Sequence, residues 1–226
     1  NLVGKELGVK VDLVPVTSTN RIPFLTTDKA DIVISSLGKN AERAKAQAAF
    51  TDYGQYLDSL EMTATIKGFE PLYIQRIAQL TNKSNQFNLT TLRCSEDDIR
   101  AMAGDKNDLC LCGKLVDKFG DNGIVTVVAG RQQGDALDLT LWLMSCRVLK
   151  RGMEDAMMDT VVAEAAARGV KTIVGHYYPT AKNAMVREFY AQYDFAKTAE
   201  DADGNTEWTL DVAAYTPKHP HMKIER

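Results

Sequence analysis

The sequence predicts an α/β (α+β) fold built around a central, mixed and twisted sheet. Three observations lead there. Strand-like and helix-like segments alternate along most of the chain, apolar runs such as "IVTVVAG" and "LWLM" have the length of buried strands, and turn-forming pairs with glycine separate them. At 226 residues, 45% apolar and 25% charged, the chain has material for one large or two small domains.

In chain order, residues 1–45 read as a partial α/β unit. "VKVDLVPVT" alternates at strand period, Ser18 or Thr19 offers a helix cap, and "ADIVISSLG" is the continuous run of a strand buried on both faces. Residues 46–84 read as a helical connector. Ala46, Ala49, Phe50, Tyr53, Leu57 and Leu60 recur at helical spacing, and a further helix follows Pro71 with Ile74, Ile77 and Leu80 on one face. Residues 85–226 then carry the sheet. "FNLTTLRC" is a predicted strand, "SEDDIRAMA" a helix with a Ser95 to Asp98 capping box, and "DLCLCGKLVDKFG" a strand. Asn122-Gly123 and Gly134-Asp135 are the hairpin signals. A helix from Met153 to Arg168, a strand in "VKTIVGHYY", a helix from Thr180 to Tyr193 and a strand in "TEWTLDVAAY" complete the pattern. The tail "TPKHPHMKIER" shows no periodicity and is expected to be loose.

The charge balance excludes several classes of partner. Net charge is -3 and the basic residues are scattered, so neither nucleic acid nor an anionic membrane surface is expected as a partner. No apolar run approaches the roughly 20 residues that span a bilayer. Cys94, Cys110, Cys112 and Cys146 are too few and too irregular for a disulfide framework, and the close pair is C-x-C rather than a zinc-type C-x-x-C. Reduced thiols, no metal and, with no signal-peptide pattern at the start, a cytoplasmic protein are the expectations.

Three resemblances attach to particular stretches. "VPVTSTNRIPFLTTDKADIVISSLGKNAER" resembles the first lobe of periplasmic amino-acid-binding proteins. There the turn after the second strand and a following arginine hold the ligand's α-carboxylate, which implies Ser36, Gly38 and Arg43 here. A solvated helix position is the alternative for Arg43. The order of elements after residue 85 is similar to the GNAT acyltransferase fold, whose R-x-x-G-x-G/A turn grips the pyrophosphate of coenzyme A. The corresponding stretch runs from Arg151 and Gly152 to Ala156, with Glu154 in place of the middle glycine. Asn183, Tyr190 and Phe195 keep the later GNAT spacing, which implies Tyr190 as a proton donor to a departing thiolate; a tyrosine packed on the sheet is the alternative.

"LTNKSNQFNLTT", "KFGDNGIVTVV", "LWLMSCRVLKRGMEDAM" and "YYPTAKNAMVREFY" together resemble the C-terminal GNAT-like domain of the FkbH-like proteins, which join it to a HAD-superfamily phosphatase of subfamily IIIC. That resemblance implies transfer of a glyceryl group to the 4'-phosphopantetheine thiol of an acyl carrier protein, through an enzyme thioester. The HAD hallmark D-x-D-x-T occurs nowhere in the sequence, so no phosphatase activity is expected.

Residue chemistry adds its own expectations. A helix N-terminus attracts anions, and Glu154 and Asp155 would occupy that field themselves, so bound coenzyme A is not expected. Thioester exchange needs a thiolate. Cys146 precedes Arg147, Lys150, Arg151 and a helix N-terminus, surroundings of the kind that favour one. His176, at the end of a neighbouring strand, is the candidate base. Arg147, Arg151, Gly152, Asn183 and Lys182 are the candidate substrate and carrier contacts. The amides Asn82, Asn85, Gln86 and Asn88 are read first as residues that tie down turns.

Overall fold

Residues 44, 46–218 and 220–226 are described by a computed structural model of the chain. The strands and ligand residues expected before Arg43, with Ser36, Gly38 and Arg43 themselves, lie outside the described residues. The chain divides into two compact units, Asn1–Ala46 and Gln47–Arg226, and the architecture below is that of the second.

Among the described residues nine strands form one sheet. They are β1 (Thr63–Gly68), β2 (Phe87–Asn88), β3 (Asp108–Asp117), β4 (Gly120–Gln133), β5 (Ala136–Met144), β6 (Thr172–Tyr177), β7 (Ala196–Glu200), β8 (Thr206–Asp211) and β9 (Lys223–Glu225). The spatial order is β7-β8-β6-β5-β4-β3-β1-β9, with the short β2 set against β5. The β5/β6 and β1/β9 pairs are parallel and the others antiparallel.

Helix α1 (Tyr53–Ser59) starts at Asp52, whose Oδ1 accepts the Gln55 N–H at 2.9 Å. Helix α2 (Ile74–Lys83) follows a 3₁₀ turn with Pro71 in the position where a missing N–H costs nothing. Its inner face of Ile74, Ile77, Ala78 and Leu80 packs with Ile99 of α3 (Glu96–Gly104) on Val127, Ala129, Leu141 and Leu143. The capping box of α3 is formed: Ser95 Oγ accepts the Asp98 N–H, and Asp98 accepts the Ser95 N–H. Helix α4 (Met153–Ala167) is apolar over most of its surface, with Met153, Ala156, Met157, Met158, Val161 and Ala165 buried. Gly113 of β3 makes room for it, because a β-carbon there would lie 2.3 Å from Met153 Cε.

The structure departs from the sequence expectations in several places. The connector is not helical throughout: Thr63–Gly68 is a strand of the main sheet, since β-branched Thr and Ile alternate there and place Ala64 and Ile66 inward. Asn122-Gly123 is not the hairpin turn. Asp117 pairs with Gly120, so Lys118-Phe119 turns the chain, and Gly123 sits in β4 at positive φ where the β3/β4 register slips. Gly134-Asp135, by contrast, is the two-residue turn expected, with Gln133 opposite Ala136. Residues 180–193 form two 3₁₀ turns, Ala184–Val186 and Tyr190–Tyr193, instead of one helix, and the Asn183 Oδ1 accepts the Thr180 N–H at the start of the segment. The tail is not loose: Lys223–Glu225 lies parallel to β1, with the Lys223 N–H donated to Met62 O at 2.9 Å.

The feature that shapes the site is the parting of β5 and β6. Their pairing runs from Ala136/Thr172 to Leu139/Gly175 and stops. Thr140 is an extra residue in β5, because Gly130 pairs with Leu139 and Ala129 with Leu141. This bulge reverses the facing of all that follows. Leu141 and Leu143 therefore join the α2 core, while Trp142 turns to the other side and meets Phe189 with ring centroids 5.0 Å apart. The wedge between the strands is filled by the protein itself. Leu89 donates its N–H to Trp142 O at 2.9 Å and accepts the Tyr178 N–H at 2.8 Å, joining β5 to the end of β6.

Among the described residues no helix is long and apolar enough to cross a membrane, and no group of three or more His, Cys, Asp or Glu side chains is placed to hold a metal ion.

Candidate functional site

Cys146 lies just beyond β5, in a 3₁₀ turn, and is exposed. It opens on a cleft of about 480 Å³ whose wall is α2 on one side (Arg76, Leu80, Lys83) and Ser84–Phe87 on the other. Phe87 pairs with Met144, and this places the Ser84–Phe87 segment alongside Ser145 and Cys146. Three cations, Arg76, Lys83 and Arg147, line the same cleft, and none of them has a carboxylate partner among the described residues. Burial and the neighbouring Arg147 guanidinium hold Arg76 below its usual value. The cleft therefore combines an accessible thiol with unneutralised positive charge.

The other three thiols are different. Cys94 and Cys112 are buried and Cys110 half-buried, and burial pushes Cys110 and Cys112 each up to about 12. At neutral pH they are protonated and behave as small apolar side chains.

His176 is not beside Cys146. Leu139 pairs with Gly175, so His176 lies level with Thr140, and Met144 is four residues or about 13 Å further along β5. Its Nε2 bonds Asp138 Oδ1 at 2.7 Å instead. The expected Cys146 and His176 pair is not formed, because the strands separate just where the two ends were to meet.

Tyr190 lies under the sheet at the same level. Its ring covers Gly175, packs on Phe195 with centroids 4.9 Å apart, and is completely buried. The hydroxyl lies near the His176 amide without reaching hydrogen-bond geometry, and burial raises it far above the usual phenol range.

Asn183 is fully buried and acts as a clamp. Its Nδ2 donates to Asn88 O and Tyr178 O, both at 2.9 Å, and its Oδ1 accepts the Thr180 N–H at 2.7 Å. Lys182 is exposed on the same loop. Asn82 and Asn88 likewise tie down turns, through Cys94 O at 3.0 Å and the Thr91 N–H at 2.9 Å. Asn85 and Gln86 line the cleft.

The turn before α4 is occupied by a side chain of the helix itself. Gly152 stands at φ 79° as the helix cap, which only glycine adopts without strain. Glu154 folds back so that its Oε1 accepts the Lys150 N–H at 2.9 Å, while its Oε2 is buried without a hydrogen-bond partner among the described residues. Burial, the largest influence, holds Glu154 above the usual carboxylate range; the same holds for Asp155, which accepts the Tyr193 hydroxyl at 2.8 Å. Arg151 leaves the turn to pair with the buried Asp117 at 3.1 Å and to donate to Arg147 O at 2.8 Å.

Sequence reasoning missed Arg76, Lys83 and the filled wedge. Arg76 and Lys83 occupy the same face of α2 two turns apart, a spacing that was legible. That they face Cys146 was not.

Comparison with known proteins bears on both halves of the chain. Residues 1–62 match the family of bacterial extracellular solute-binding proteins, family 3. No curated protein sequence matches the chain. Among solved structures, the ribosomal-protein-S18-alanine N-acetyltransferase from Escherichia coli is similar at 15% identity, with a TM-score of 0.51 over 66% of this chain and 94% of that one. A GNAT-family acetyltransferase from Desulfovibrio desulfuricans gives 13% identity and a TM-score of 0.53 over 66% and 99%. The spermidine N-acetyltransferase from Vibrio cholerae, in complex with CoA and spermine, gives 9% identity and 0.50 over 66% and 96%. The fold is thus that of the GNAT acetyltransferases, a mixed α/β architecture around a central mixed sheet.

The Vibrio structure also overturns the expectation against coenzyme A, since a fold of this kind holds it. That expectation assumed two ionised carboxylates facing an incoming pyrophosphate. Here burial favours the neutral form of both, Glu154 is turned onto the backbone, and Asp155 is engaged by Tyr193.

Proposed function

We propose that this chain transfers a small acyl group, glyceryl in the reading its motifs favour, to the phosphopantetheine thiol of an acyl carrier protein by way of a thioester on Cys146. The observation that carries the reading is Cys146 itself, exposed on a GNAT fold at the mouth of a cleft lined by Arg76, Lys83 and Arg147. An accessible thiol can attack an acyl carbonyl to form a thioester and, in the second half of the exchange, leave as the acyl group passes to the carrier thiol. Arg147 and Lys182 are the exposed cations of the expected set that a carrier would meet, whereas Arg151, Gly152 and Asn183 support the loops around them. His176, bonded to Asp138, takes no part at Cys146.

The experiment is intact-mass measurement after incubation with a glyceryl-loaded carrier. A mass increase of one acyl group is expected, absent in Cys146→Ala. An adduct that persists in the variant, or none in the unaltered protein, removes the reading.

A second reading rests on the family match over residues 1–62: this segment retains amino-acid binding without catalysis. Calorimetry with polar amino acids decides it, since flat traces exclude binding.

A further inference from the structure

The turn at Lys150–Gly152 is roofed by two other segments of the chain. From α1, the Tyr53 hydroxyl donates to Lys150 O at 2.6 Å. From the C-terminal tail, Pro220 lies so near Gly152 that a β-carbon on the glycine would be 3.2 Å from its Cβ and 3.6 Å from Met222 Cε. Beneath this roof the Lys150 amide is already given to Glu154.

The tail is held by few and polar contacts. Tyr215 Oη and the Lys218 N–H both donate to Asp159 Oδ1, at 2.6 and 2.9 Å. Lys218 Nζ pairs with Asp194 at 3.0 Å, and His221 Nδ1 with Asp58 Oδ1 at 2.8 Å. The three-residue β9 then adds to the edge of the sheet. None of the described residues from Asp211 onward is buried. A segment with exposed hydrogen bonds and no buried apolar side chain belongs to the low end of local stability. It covers the turn and yet is inexpensive to lift.

We infer that Lys218 and residues 220–226 form a displaceable strap over the Lys150–Gly152 turn, which must lift, with Glu154 swinging out, before the pyrophosphate of coenzyme A reaches the backbone amides at the start of α4. The inference rests on the reading of this fold as one that takes a phosphopantetheine thioester, but not on Cys146. With the strap closed, the turn is roofed and its Lys150 amide is taken by Glu154; with it open, the amides regain the anion-binding character of a helix N-terminus. Binding and closure therefore compete, and the apparent affinity for coenzyme A is lowered by the fraction of molecules that are closed.

The test uses coenzyme A itself as the probe, with calorimetry for affinity and amide hydrogen exchange for the strap. Three proteins are compared: the full chain, a chain ending at Pro217, and Lys223→Pro, which removes the N–H donated to Met62 and keeps the rest of the tail. Affinity at least tenfold tighter in either variant is expected, with faster exchange over the strap when coenzyme A is added to the full chain. Equal affinity in all three proteins, slower exchange of the tail on binding, or no binding in any of them overturns the inference. The mass assay on Cys146 reads a different event, so either idea can fail without the other.

Discussion

The phenol ring of Tyr190 lies directly on Gly175, where a β-carbon would sit 2.4 Å from Cζ and 2.5 Å from Cε1. Real side chains do not approach that closely. Gly175→Ala must push Tyr190 out of a cage formed with Trp142, Phe189, Phe195 and Trp208. An overpacking cost of about 1–3 kcal/mol is expected, read as a lower midpoint in urea.

Tyr190→Phe separates the two readings of this residue. Its hydroxyl is buried without a partner of good geometry, so removing it forfeits no hydrogen bond and relieves an unpaired polar group. The variant is expected to be as stable as the parent or more so. If acyl transfer is retained as well, Tyr190 packs and does not donate a proton; a loss of turnover at unchanged stability assigns it the donor role.

Asn183→Ala removes the acceptor for the Thr180 N–H and the donors to Asn88 O and Tyr178 O at one buried position. Leaving such backbone groups unsatisfied costs about 2–3 kcal/mol. Because the clamp joins β2 to the loop after β6, increased hydrogen exchange confined to residues 87–91 and 178–183 is the accompanying sign.

Glu154 makes stability depend on pH in a stated direction. Its folded value is raised from 4.5 by burial, so the native state holds the proton more tightly than the unfolded chain. That contribution is fully present below the unfolded value and is lost as pH rises through the folded one. Glu154→Gln carries no such charge. Its melting temperature relative to the parent should therefore rise from pH 4 to pH 8; a constant difference would show that Glu154 is not buried.

The thiols should divide one against three. Cys146 is exposed, while burial raises Cys94, Cys110 and Cys112. At pH 8 a chromogenic disulfide reagent is expected to label one thiol quickly in the native protein and four after denaturation. Cys146→Ala should abolish the rapid phase.

Much of the fold was legible because it is local. The Ser95 to Asp98 box, the Gly134-Asp135 turn and the apolar α4 are set by neighbours within a few residues, and they stand where the pattern placed them. The bulge at Thr140 was not legible. Nothing in "LDLTLWLM" marks one residue as extra, and only pairing with β4 reveals that Trp142 faces away from Leu141. The tail failed for a similar reason: "MKIER" has no periodicity of its own and becomes a strand because β1 offers a free edge.

The candidate site divides in the same way. By itself the sequence determined the class of fold, the place of Cys146 at the end of a strand, and the acid in place of glycine in the turn that follows, since each is a matter of residue type at short spacing. Tertiary structure alone decided who meets whom. It brought Arg76 and Lys83 to the cleft of Cys146, gave His176 to Asp138 and laid Pro220 over Gly152. Such contacts join residues distant in the chain, and their free energy comes from burial and hydrogen bonds that exist only once the sheet has assembled.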